Sequence, residues 1–81
     1  NQVVPADQLM PTVTKLAQQL AAGPTRSFGA VKSLLNETFE HGLESQMELE
    51  ARAIAAASIS ADGQEGIAAF LAKRKPSFTG R

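Results

Sequence analysis

The chain has 81 residues, in which eight Lys and Arg balance eight Asp and Glu, with no Cys and a single His. Balanced charge argues against a dedicated nucleic-acid or anionic-membrane binder, no apolar run approaches the ~20 residues of a membrane span, and without Cys there is no disulfide or thiolate metal staple. What remains is a single small domain with a correspondingly small core, and the lack of Cys fits a reducing, cytoplasmic location.

The first residue is Asn1 rather than Met, and Gln2-Val3-Val4-Pro5 reads as the end of a β-strand closed by Pro5. No basic segment followed by an apolar run precedes it, so no signal peptide is expected, and the chain reads as a piece excised from a longer protein. A first helix is predicted over about 6–22, with Leu9, Val13, Leu16 and Leu20 on one face and a stop at Gly23-Pro24. Pro11 is harmless if Asp7 caps that helix, and kinks it if the helix begins at Pro5.

A second helix is predicted over about 24–39, with Phe28, Val31, Leu35 and Phe39 as its apolar stripe and Leu34 beside them. Gly29 lies inside it, at a cost of about 1 kcal/mol relative to Ala, and its small size suits the close approach of another helix. His41-Gly42 breaks the chain before a third helix, about 43–58, whose inner face is expected to be Leu43, Met47, Ala51, Ile54 and Ser58. A fourth, about 62–74, opens on Asp62 with Glu65 three residues on, a variant of the capping box. Ile67, Phe70 and Leu71 are expected to face inward, and Phe70 to be a core residue of the isolated chain. Lys73, Arg74 and Lys75 complement the dipole at the helix end, and Pro76 starts an extended tail, 76–81.

Several polar features have plain structural readings. Glu37, Glu40, Glu44 and Glu48 are spaced like a solvated helix face, and no apolar pocket is written around them to raise a carboxyl for acid–base work. His41 has no nucleophile partner and no metal-ligand companions. The sequon-like Asn36-Glu37-Thr38 falls inside a predicted helix, and Gly63 and Gly66 lack the Gly-Lys-Ser/Thr ending of a phosphate loop.

The last third carries the strongest signal. Asp62, Glu65, Gly66, Ala69, Phe70, Lys73, Arg74, Pro76, Phe78 and Gly80 resemble, at fixed spacing, the D-x-x-E-G-x-x-A-F-x-x-K-R-x-P-x-F-x-G ending of the crotonase superfamily, the enoyl-CoA hydratases and isomerases. Gly23-Pro24-Thr25 with Lys32 and Leu35-Asn36 is similar to a second phrase of that family.

The resemblance implies an all-α fold of three to four helices, corresponding to the C-terminal helical domain of a crotonase-fold protein. In that family the segment follows a spiral core of β-β-α units. It packs against neighbouring subunits of a trimer, often doubled to a hexamer, and borders the acyl-CoA pocket. The matching Phe and Lys lie near the adenosine end of coenzyme A, so Phe70 and Lys73 are implied contacts of the substrate in the intact parent only. The oxyanion donors that stabilise a thioester enolate belong to the core, so the resemblance implies no catalytic residue, no metal and no cofactor beyond acyl-CoA as substrate. The segment is expected to be catalytically silent alone and to self-associate, since it writes more apolar faces than a small bundle covers. By periodicity alone, a free-standing helical protein-interaction module reads the same way.

Overall fold

The computed structural model describes residues 1–81 as four helices and a tail, with no strand. They are α1 (Ala6–Ala21), α2 (Thr25–Glu37), α3 (Leu43–Ser58) and α4 (Ala61–Leu71). Residues 1–5 are irregular rather than a strand end, because a lone extended segment has no neighbour to complete its hydrogen bonds. α1 starts directly after Pro5, with no side-chain cap, and continues through Pro11. Pro11 therefore sits in the second turn, past the first-turn positions where a missing N–H is harmless.

The helix ends are set by local chemistry. Gly23 makes the α1–α2 corner, where a Cβ would lie 2.5 Å from the Phe28 ring. α2 stops at Glu37, before the expected Phe39, and Thr38 Oγ1 turns back to donate to the Leu34 carbonyl at 3.1 Å. Ser60 is the N-cap of α4, its hydroxyl accepting from Gly63 N–H at 3.0 Å and donating to the Ala57 carbonyl at 2.6 Å. The expected capping box of Asp62 and Glu65 does not form, because Ser60 already satisfies the first-turn donor. Asp62 and Glu65 are thereby left to bind elsewhere.

α2 packs on α3, and α3 on α4. The faces that meet are not the ones periodicity selected. In α2 the half-buried residues are Ser27, Ala30 and Leu34, and in α3 Gln46 is buried and Leu49, Ala53 and Ala57 are half-buried, with Ser27, Ala30, Ala53 and Ala57 small enough to let the helix axes approach. The predicted stripes Phe28-Val31-Leu35-Phe39 and Leu43-Met47-Ile54 are exposed, up to 97% for Phe39. α4 repeats the inversion, with Asp62 and Ala69 buried while Ile67, Phe70 and Leu71 face solvent. Gly29 likewise faces open space, so no helix of this chain uses it for close approach.

The result is a thin slab of 46 × 37 × 19 Å, about two helix diameters through its narrow axis. Its radius of gyration is 16.0 Å, against about 12 Å for a compact domain of this length. It exposes 6772 Å², where a compact monomer of its mass exposes about 4,700 Å². Ala69 is the one fully buried hydrophobic residue. A groove of about 320 Å³ between α2 and α3, lined by Val31, Leu34, Leu35 and Ile54, is open.

Two glycines separate internal from external packing. A Cβ at Gly63 would collide with the Ala57 carbonyl oxygen, so Gly63→Ala is expected to destabilise the chain by roughly 1–3 kcal/mol. Gly29→Ala meets nothing and is expected to stabilise α2 by up to about 1 kcal/mol. Urea midpoints of both variants at one fixed chain concentration check this; a loss of stability in Gly29→Ala would place a second chain against that position.

Candidate functional site

The site is built where α4 meets the tail. Residues 72–81 double back along α4 rather than trailing into solvent. The reversal is a left-handed helix cap: Lys73 has φ 51°, its N–H donates to the Phe70 carbonyl at 3.1 Å, and Arg74 N–H donates to the Ala69 carbonyl at 3.0 Å. These are the two hydrogen bonds of a Schellman motif, with Lys73 at the position usually given to Gly. The left-handed region costs a residue with a Cβ about 1–2 kcal/mol. The basic residues accordingly lie beyond the last turn of α4, not within it as the sequence suggested.

Two carboxylates of α4 then grip the returning strand. Glu65 receives the Arg74 guanidinium in a fork at 2.6 and 2.7 Å and accepts the Ser77 N–H at 2.8 Å. Asp62, 4% exposed, accepts Thr79 N–H at 2.7 Å, Gly80 N–H at 2.8 Å and the Thr79 hydroxyl at 3.2 Å. In return, the Asp62 N–H donates to the Arg81 carbonyl at 2.7 Å. Between the two anchors the Phe78 ring lies over Gly66, where a Cβ would stand 3.6 Å from the ring. Gly80, at φ 78°, brings the tail to α2, and a Cβ there would lie 2.7 Å from Thr25 Oγ1.

The electrostatics follow from these bonds. The Arg74 fork, with help from Ser77 N–H, holds the Glu65 carboxyl down from its ordinary 4.5 to about 2. The Thr79 N–H foremost, then the Gly80 N–H and the Thr79 hydroxyl, lower Asp62 against the opposing effect of burial.

This geometry divides the tail pattern. Asp62, Glu65, Gly66, Ala69, Arg74, Phe78 and Gly80 are all occupied in holding the tail on α4, and Pro76 keeps it out of the helix. Two members have no such occupation. Phe70 is 82% exposed, which corrects its expected place in the core: the face of α4 buried within this chain is the one carrying Asp62 and Ala69. Lys73 is exposed and makes no ion pair. The backbone bond from Lys73 to the Phe70 carbonyl ties the two together at the free end of α4. Elsewhere, Glu37–His41 at 3.4 Å and Glu48–Arg52 at 2.8 Å are surface pairs one helical turn apart, Lys32 is exposed, and no cluster of His, Cys, Asp or Glu has the spacing of a metal site.

Across residues 1–81 the chain matches the enoyl-CoA hydratase/isomerase family model. The chain belongs to that family. It is 42% identical over 80 residues to the 1,2-epoxyphenylacetyl-CoA isomerase of Escherichia coli K12, covering 99% of this chain and 30% of that protein. It is 32% identical over 78 residues to the crotonyl-CoA hydratase of Syntrophomonas wolfei, covering 96% and 30% respectively. Subunit I of an enoyl-CoA hydratase from Geobacillus kaustophilus HTA426 superposes on 98% of the chain with a TM-score of 0.89 at 34% identity, over 31% of its own length. This enoyl-CoA hydratase/isomerase chain thus spans about a third of the length of the relatives it matches. Its fold corresponds to a helical portion of those crotonase-fold enzymes. Sequence reasoning found the tail pattern whole but missed its division, since no spacing rule says that Glu65 would reach across to Arg74 and Ser77.

The lowered carboxylates give a pH test with a defined sign. A depressed carboxyl binds fewer protons in the folded state, so its contribution is whole above its ordinary value and is lost as pH falls toward the folded value. The Ser77 amide shift, followed by NMR, is therefore expected to be constant above pH 4.5 and to titrate with its midpoint at the folded value of about 2 as the fork is protonated. Glu65→Gln should abolish that step. A tail that detaches near neutral pH would exclude the carboxylates as its anchor.

Proposed function

We propose that the chain is the C-terminal helical segment of an enoyl-CoA hydratase/isomerase, that it packs against the rest of the enzyme and neighbouring subunits, and that it borders the acyl-CoA pocket while being catalytically silent alone. The carrying observation is the inversion of α2, α3 and α4. Their strong apolar stripes face outward, while the residues that meet within the chain are mostly small or polar. Exposed apolar area of this extent marks a surface that another protein surface covers. An intended free monomer would place Val31, Leu35, Met47, Ile54, Ile67 and Leu71 toward one another; instead all are open.

The site's chemistry supports the reading of catalytic silence. Asp62 and Glu65 have their oxygens filled by the tail, and the surface carboxylates Glu37 and Glu48 are paired with His41 and Arg52. Purified chain is expected to hydrate no crotonyl-CoA and to self-associate in sedimentation equilibrium over a hundredfold concentration range. Turnover that survives repurification would overturn the first claim, and a strict monomer throughout would overturn the interface.

Phe70 and Lys73 supply the acyl-CoA border in this reading. An exposed ring beside an unpaired ammonium offers an aromatic face to a purine and a charge-assisted donor to a phosphate. In the full-length enzyme Lys73→Ala is expected to raise KM for the CoA thioester roughly fivefold, the equivalent of about 1 kcal/mol for an exposed charge contact. The effect should fall on KM rather than kcat, because the contact is the same in ground and transition states. An unchanged KM at low salt would reduce Lys73 to a helix cap.

A further inference from the structure

Lys73 occupies a position for which it is a poor conformational choice. A Schellman cap needs a left-handed residue, and Gly adopts that conformation without a Cβ penalty. Non-Gly residues persist there when the surroundings over-determine them, which is a pattern of functional sites. The over-determination at Lys73 is visible. On its N-terminal side, its own N–H is bonded to the Phe70 carbonyl at 3.1 Å. On its C-terminal side, Arg74 is fastened twice, by its N–H to the Ala69 carbonyl at 3.0 Å and by its guanidinium to Glu65 at 2.6 and 2.7 Å. Ser77 N–H on the same Glu65 oxygen, at 2.8 Å, stops the following residues from swinging away.

The three consecutive cations are thereby unlike. Arg74 is neutralised by Glu65, Lys73 and Lys75 both lack an ion pair, and Lys73 alone is fixed in the left-handed conformation, at φ 51°. A cap gains from the Lys73 ammonium only a weak, solvent-screened complement of the helix dipole, whereas an anion would gain a charge-assisted hydrogen bond. We propose that Glu65 and Arg74 are positioning residues, which hold Lys73 in its left-handed conformation so that its ammonium and the Phe70 ring together meet the phosphate-bearing end of a coenzyme A thioester. The proposal rests on the assignment of Phe70 and Lys73 made above. Glu65 touches no ligand and acts through Lys73.

Acting through another residue has a signature that general damage to the fold lacks. In the full-length enzyme, coenzyme A is titrated calorimetrically at low salt into the parent, Lys73→Ala, Glu65→Gln and the double variant. Lys73→Ala is expected to weaken binding roughly fivefold. Glu65→Gln should weaken it about threefold when Lys73 is present and have no further effect in the Lys73→Ala background, a non-additive cycle. Equal losses from Glu65→Gln in both backgrounds would make it a structural residue only, and no loss in either would show that Lys73 needs no positioning; both overturn the proposal and leave the Lys73 contact standing. Should Lys73→Ala itself bind coenzyme A like the parent, the underlying assignment falls and this proposal with it.

Discussion

Two carboxylates one helical turn apart, Asp62 and Glu65, determine what the last third of this chain is. Without acceptors of this strength, residues 74–81 would be a mostly polar, Pro- and Gly-containing end with only Phe78 to bury, the kind of segment that stays disordered. Three backbone N–H groups, those of Ser77, Thr79 and Gly80, find ionised acceptors on α4 at 2.7–2.8 Å. Hydrogen bonds to a charged partner are roughly twice as strong as neutral ones. The bonds also dictate direction: the tail must run antiparallel to α4, so Phe78 comes to rest on Gly66 and Gly80 arrives at Thr25. A short helix with one fully buried apolar side chain is thus held to its neighbours by polar chemistry as much as by packing.

The rest of the slab follows a similar economy. The α2–α3 seam is made by Ser27, Ala30, Ala53 and Ala57, residues that remove little apolar area from water but permit close helix axes. Val31, Leu34, Leu35 and Ile54 line the groove beside that seam without closing it. At ~25 cal/mol per Å² of apolar surface, the side chains that would contribute most to folding are those left outside. The open faces therefore carry more large apolar side chains than the interior does. The family assignment and the partial coverage of the relatives' length accord with a segment whose core is shared.

Much of the architecture was legible. Gly23-Pro24 and His41-Gly42 gave the breaks, because backbone freedom and a missing N–H act locally. Helix type came from periodicity, and the family from the tail pattern. The misplaced faces have one cause. Periodicity identifies the face of a helix that seeks burial but not the surface that buries it. Phe28, Met47 and Phe70 were therefore placed inside when they lie outside. The Asp62–Glu65 capping box failed for a related reason: Ser60 competed for the same N–H groups, and the tail for the carboxylates.

By itself the sequence determined much that depends on neighbours within a few residues: where the breaks between helices fall, which stripes are apolar, and that the terminal pattern is one unit of the enoyl-CoA hydratase/isomerase family. Only the tertiary structure decided which members of that pattern are architecture and which are free. Glu65 and Arg74 are nine residues apart and Asp62 and Gly80 eighteen, so their pairing is a matter of chain reversal through a left-handed Lys73, not of helical spacing. Once those pairs close, the charges of Arg74, Glu65 and Asp62 are satisfied internally. Phe70 and the Lys73 ammonium remain facing outward because no group within reach in the fold is left to take them.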